Sequence, residues 1–101
     1  MPSNVTKRGA PVGGGVAGVS TALELVERGH DVVLLEKGEI AAEQSSRNWG
    51  WCRQMGRDPR EIPLIQVSMG LWDGMDARVG GHTGFTRCGI LYLCETEEQL
   101  A

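Results

Sequence analysis

An α/β fold organised around an incomplete βαβ unit is predicted by three observations. Glycines at 13, 15 and 18 make a G-x-G-x-x-G pattern, and an apolar helical repeat follows as far as Arg28. Asp31-Val32-Val33-Leu34-Leu35-Glu36 then reads as a strand covered on both faces. Turn, helix and strand in that order are the repeating elements of a doubly wound sheet.

Each glycine has its own mechanical reason. Gly13 permits a tight strand-to-helix turn, Gly15 lets the backbone approach a pyrophosphate, and Gly18 lets the helix pack closely on the strand. The N–H groups of residues 15 to 18, Val16 and Ala17 among them, then face an anion with the positive end of the helix dipole behind them. Glu36 lies 18 positions after Gly18, near the spacing of ~20 expected of the acid that binds a ribose. Its charge repels a 2′-phosphate, so the segment reads as a Rossmann-like site for an unphosphorylated dinucleotide and not for NADP. A glycine-rich surface loop would show the glycines without the helix, the strand and the acid.

Composition sets the outer limits. A chain of 101 residues is one small domain at most, and it should bury only about 60 to 65% of its unfolded surface, so its stability is expected to be marginal. Apolar content of 41% against 23% charged residues is that of an ordinary globular protein. The net charge of −3 supplies no basic field for nucleic acid or an anionic membrane. No apolar run could span a bilayer, and the first ten residues lack the apolar core of a signal peptide, so a cytoplasmic location is expected. Cys52, Cys88 and Cys94 are odd in number and lack C-x-x-C spacing, which points to reduced thiols and no metal site.

In chain order, residues 1–9 read as a polar, disordered tail. The residues before the first glycine, Arg8-Gly9-Ala10-Pro11-Val12, make a poor central strand, because proline gives no N–H to a ladder. The first helix carries Val16, Val19, Ala22, Leu23 and Val26 on one face and stops at Gly29. Lys37 to Arg60 is a long irregular segment with a helical turn expected near Ile40 to Gln44. A second helix begins at Ile62 with Leu64, Val67, Leu71, Met75 and Val79 on one face, weakened by Gly70 and Gly74 and ended by Gly80-Gly81. Phe85 to Cys88 and Ile90 to Cys94 read as short strands, and Thr96-Glu97-Glu98-Gln99 as a capping box opening a further helix. A helix starting so close to the last residue is expected of a truncated piece of a longer protein.

Gly13 to Gly18, Gly29 to Gly38, Ser45-Ser46-Arg47-Asn48-Trp49-Gly50-Trp51-Cys52-Arg53-Gln54, Gly56 to Glu61 and Gly89 to Leu93 together resemble the amino-terminal part of the FAD-dependent D-amino-acid oxidase/dehydrogenase family, which includes glycine and sarcosine oxidases. The resemblance covers about residues 12 to 101, and the serine-containing segment is its most specific part. It implies that residues 1–101 form a partial FAD-binding domain. Gly13, Gly14, Gly15, Val16, Ala17 and Gly18 would hold the pyrophosphate of FAD, Glu36 the adenosine ribose, and Lys37 would lie beside the adenine. Ser45, Ser46, Arg47 and Asn48 would approach the phosphates and the flavin; hydroxyls, amides and a guanidinium suit phosphate oxygens, although the same residues also make an ordinary solvated turn.

The activity implied by the resemblance is oxidation of the C–N bond of D-amino acids or related amines, with a small-molecule substrate and the remainder of the fold supplied by sequence not present in this chain. Trp49 and Trp51 could wall a flavin or simply pack, and Arg53, Arg57 and Arg60 could meet a substrate carboxylate or form a solvated basic loop. No catalytic residue can be named. Two other readings stay open: an NAD-dependent dehydrogenase, which would use Gly13 to Gly18 and Glu36 equally well, and a non-catalytic remnant or small interaction protein.

Overall fold

The computed structural model describes residues 7–100, whose contacts fall into two compact units, Met1–Gly50 and Trp51–Ala101. The first unit holds the predicted βαβ half: strand β1 (Arg8–Gly9), helix α1 (Val16–Glu27) and strand β2 (Asp31–Val32). The strands are parallel, with Arg8 opposite Asp31 and Gly9 opposite Val32. Hydrogen bonding runs beyond these short strands. The N–H groups of Asp31, Val33 and Leu35 donate to the carbonyls of Lys7, Gly9 and Pro11 at 3.1, 2.9 and 3.0 Å, and Gly13 donates to Leu35 at 2.7 Å.

This register explains what Pro11 does. Residues 9, 11 and 13 alternate as the positions whose N–H and C=O both face β2, so proline removes one donor from the ladder while keeping its carbonyl as an acceptor. The strand is interrupted there and pairing resumes at the bridge between Val12 and Leu35. The tail expected over residues 1–9 is therefore part of the ladder from Lys7 onward, because those backbone groups have partners 23 to 24 residues away. Residues 1–6 lie outside the described residues.

Helix α1 forms where its pattern predicts, and Gly29 follows it at φ +81° with its N–H on the Val26 carbonyl. Its packed face overlaps the expected one only in part. Of the five residues expected on it, Ala22 and Leu23 are half-buried, and Val16, Val19 and Val26 are exposed. Gly18 and Leu25 are half-buried as well, and a Cβ placed on Gly9 would lie 2.8 Å from Leu25 Cδ1. Close approach to a strand thus shifts the covered stripe toward the one that contains a glycine. The helical turn expected near Ile40 to Gln44 begins later, as α2 (Gln44–Arg47), because Ala41 takes a positive φ of 60° that no helix continues through.

In the second unit a 3-10 turn (Pro59–Glu61) leads into α3 (Ile62–Asp73) and α4 (Met75–Val79), capped at Asp58 by its side chain accepting from Arg60 N–H at 2.9 Å. Gly74 divides the single helix that was expected, and Gly80, left-handed at φ 64°, ends the second piece. The covered face differs here too: Ile62, Ile65, Met69 and Trp72 are half-buried, whereas of the expected residues only Met75 is, and Leu64, Val67, Leu71 and Val79 are exposed. Trp72 decides this by stacking on Phe85 with ring centroids 5.9 Å apart, while Arg87 pairs with both oxygens of Asp73 at 2.6 and 2.7 Å. The strands expected at Phe85 to Cys88 and Ile90 to Cys94 do not form, since a strand needs a ladder partner and neither segment pairs with any described residue. At the end, Glu97–Leu100 is a 3-10 turn in which Gln99 reaches back to Glu95 N–H at 2.8 Å.

Gly70 sits inside α3 with nothing within 4 Å of the position a Cβ would take. Gly70→Ala should therefore stabilise the second unit by about 0.5 to 1 kcal/mol by reducing unfolded-chain entropy, read as a rise in thermal midpoint.

Candidate functional site

The first unit brings four of its segments to the amino end of α1. Gly13, at φ +102°, turns the chain out of the first strand, and Gly15 is the N-cap of a helix that starts at Val16. Gly18 has no room for a side chain: a Cβ there would meet the Gly13 carbonyl oxygen and approach Leu34 Cδ1 at 3.7 Å. The helix and the turn are in backbone contact, as the spacing requires.

Glu36 reaches this turn from the end of the neighbouring strand. Its Oε2 accepts the Gly14 N–H at 2.7 Å and its Oε1 accepts the Gly38 N–H at 2.8 Å. The Gly14 bond above all, then the Gly38 bond and the nearby Lys37, hold its carboxyl below the ordinary glutamate range against a partial desolvation that pulls the other way. The anchoring is thus complete near neutral pH and is lost as pH falls through that lowered value and the carboxylate takes up a proton. Each oxygen keeps a further lone pair for a hydroxyl donor.

Ser45 closes the site from α2. Its Oγ accepts the Val16 N–H at 2.8 Å, leaving the hydroxyl proton to donate to an anion, and the Ala41 N–H donates to the Gly14 carbonyl at 2.9 Å. Ser46, Arg47 and Asn48 turn onto their own segment instead. Ser46 Oγ donates to the Glu43 carbonyl at 3.0 Å, Arg47 pairs with Glu43 at 2.9 Å, and Asn48 bonds the Ser45 carbonyl and the Gly50 N–H at 2.7 and 2.6 Å. Lys37 is exposed beside Glu36.

Away from the turn, Trp49 and Trp51 are exposed. Arg53 is held by Tyr92 and by the Met55 carbonyl, and Arg60 by both oxygens of Asp58, each within the second unit. His30 accepts the Lys7 N–H through Nδ1, and His82 lies 3.7 Å from Asp76. Cys52, Cys88 and Cys94 are free and exposed, and no group of metal-ligating side chains occurs among the described residues. No described helix is long and apolar enough to cross a membrane.

The residues fit a dinucleotide on the evidence of this geometry. The turn is a cradle that side chains would fill, since a Cβ at Gly14, Gly15 or Gly18 would strike Ile40, Ser45 or the Gly13 carbonyl. The first-turn amides of α1 have no intrahelical carbonyl to bond, and a carboxylate stands at the strand end. Pattern reading missed Gly38, Ile40 and Ala41 as parts of this arrangement, because their contribution is made by backbone amides and by packing that leave no fixed spacing.

Comparison with known proteins supplies the chemistry that the glycine turn alone leaves open. Residues 12–101 match the FAD dependent oxidoreductase family. Gamma-glutamylputrescine oxidoreductase of Escherichia coli is 43% identical over 60 residues, covering 59% of this chain and 14% of that protein. The tRNA 5-methylaminomethyl-2-thiouridine biosynthesis bifunctional protein MnmC of Thiobacillus denitrificans is 36% identical over 87 residues, covering 83% of this chain and 14% of that one. Among solved structures, L-amino acid deaminase from Proteus vulgaris is similar with a TM-score of 0.69 and 38% identity, over 82% of this chain and 19% of that one. The chain thus spans about a seventh of these curated relatives. The family's cofactor is FAD, which removes the NAD-dependent alternative, and with nearly the whole sequence matched the chain belongs to the FAD dependent oxidoreductase family.

Proposed function

We propose that this chain forms the adenosine and pyrophosphate end of the FAD site in an oxidoreductase acting on the C–N bond of an amine or amino acid. The observation that carries the reading is the convergence of Glu36, Ser45 and the Gly13 to Val16 turn at the amino end of α1. In this reading the first-turn amides and the Ser45 hydroxyl hold the pyrophosphate, and Glu36, fixed by Gly14 and Gly38, receives the ribose hydroxyls. Lys37 lies on the adenine side, while Ser46, Arg47 and Asn48 shape the α2 turn that presents Ser45. FAD, when bound, would supply the hydride acceptor for oxidation of the substrate C–N bond.

The substrate class rests on the company the chain keeps. One similar protein is named for gamma-glutamylputrescine and another for L-amino acids, whereas the sequence resemblance favours D-amino acids. Both enantiomers therefore belong in any assay of the whole protein.

The adenosine end is testable on residues 1–101 with adenosine diphosphate, the half of FAD this turn would hold. Calorimetric titration should show binding, and adenosine 2′,5′-bisphosphate should bind at least roughly tenfold more weakly than adenosine 5′-monophosphate because Glu36 repels the extra 2′-phosphate. Glu36→Ala should weaken adenosine diphosphate roughly ten- to hundredfold, the usual effect of deleting a charged hydrogen-bond partner. Unchanged affinity in that variant would remove the ribose role.

A further inference from the structure

The second unit leaves one stretch without the partners that its sequence asks for. From Ile90 to Cys94 the chain runs with no helix, turn or bend, and neither an N–H nor a C=O of this stretch bonds another described residue. Exposure alternates along it: Ile90 and Tyr92 are each 41% exposed, whereas Leu91 and Leu93 are 87 and 86% exposed. A period of two is that of a strand with one face toward its own domain and the other in solvent. Tyr92 marks the inner face, its hydroxyl accepting from the Arg53 guanidinium. An uncharged run without proline, in which Ile90 and Tyr92 favour a strand and the ladder groups are unused, is a template for another strand.

The segment is complementary to itself. Reflected about Tyr92, Leu91 falls on Leu93, Ile90 on Cys94 and, further out, Arg87 on Glu97. Two copies running antiparallel about a two-fold axis at Tyr92 therefore set leucine against leucine on the outer face. They also bring the basic flank of each copy to the acidic flank of the other, where Glu95, Glu97 and Glu98 stand. Arg87 uses Nε and Nη2 on Asp73 and keeps Nη1 for this contact. A parallel pair would lay acid beside acid. Moving the axis to Leu91 would set Leu93 against Gly89, and moving it to Leu93 would set Leu91 against Glu95.

We propose that Ile90 to Cys94 is a self-association site whose occupant is the same segment of a second copy, paired antiparallel about Tyr92. Gly89, at φ +76°, ends the regular pairing on the amino side. The ladder is short, and an isolated two-stranded pair is marginal in water, so the dimer is weak and concentration-dependent. The pairing uses neither the glycine turn nor Glu36 and stands apart from the function proposed above.

The experiment has two readouts on residues 1–101. Sedimentation equilibrium over a dilution series should show the parent moving from monomer toward twice that mass as its concentration rises. Leu91→Lys combined with Leu93→Lys should stay monomeric over the same range, because lysines then face each other across the pair. Both leucines lie almost wholly in solvent, so this variant should keep the far-ultraviolet helix signal and the thermal midpoint of the monomeric parent. Register is read by mild oxidation of Ile90→Cys in a Cys52→Ser, Cys88→Ser background, which leaves Cys94 as the other thiol. Positions 90 and 94 of one strand lie roughly 13 Å apart, beyond the reach of a disulfide, so a bond between them joins two copies. Peptide mapping by mass spectrometry should find the 90-to-94 linkage in a doubly bridged dimer, in preference to 90-to-90 and 94-to-94. A parent that stays monomeric overturns the proposal and leaves the segment to a strand of another protein. A lysine variant that associates as the parent does, a mixture of the three linkages without preference, or growth beyond the dimer overturns it as well.

Discussion

Replacing Gly18 with alanine is expected to unfold the first unit and abolish nucleotide binding. The added methyl would strike the backbone carbonyl of Gly13, which no rotamer change can move aside, so the turn and helix α1 must separate. Ordinary overpacking costs about 1 to 3 kcal/mol because side chains yield. A backbone collision costs more, and this unit has little to offset it, since no apolar side chain among the described residues is fully buried. Circular dichroism should show loss of helix, and adenosine diphosphate should no longer bind. Gly70→Ala is the control: the same chemical change in open space on α3 should raise stability. A Gly18→Ala protein with parent-like helicity and binding would mean that helix and turn are not in the contact described.

What the sequence reveals of this fold is the part written in residue types that have few substitutes. Gly13, Gly15 and Gly18 fix the turn, and the acid at residue 36 fixes where the second strand delivers a charge. The helical repeat after Val16 fixes that a helix forms, but it does not fix which face is covered. Val16, Val19 and Val26 of α1 and Leu64, Val67 and Leu71 of α3 are exposed, because the covered stripe is chosen by what approaches it: a strand across Gly18 and Leu25, and the Phe85 ring across Trp72. Pro11 shows the converse, a residue that looks incompatible with a strand yet costs the ladder one donor and no acceptor. The hold of the Ile40 to Ser45 loop on the turn was beyond sequence reading because it runs through the Ala41 amide and the Ser45 hydroxyl, which bond backbone atoms and leave no fixed spacing.

Residues 1–101, purified as they stand, are expected to show no turnover of amines or amino acids and to carry no stoichiometric flavin. The described site holds donors and a carboxylate suited to the adenosine and pyrophosphate of FAD, all of them on the glycine turn, the residues just after the Val12–Leu35 bridge and the α2 turn. Hydride transfer needs the opposite end of the cofactor to be enclosed, so that water is excluded and a substrate carbon is held against it. Enclosure is what this chain lacks among its described residues: apart from Gly14 none is buried, and Val12, Leu64, Leu91 and Leu93 expose most of their apolar surface. Trp49 and Trp51, the side chains best suited to wall a ring, are exposed as well. Absorbance of the purified protein near 450 nm, together with dye-coupled oxidation of D- and L-amino acids, glycine, sarcosine and a diamine derivative, would decide the matter. A yellow protein with measurable turnover would show that this short chain builds an enclosed flavin site by an arrangement its present packing does not contain, association of two copies being the first to examine.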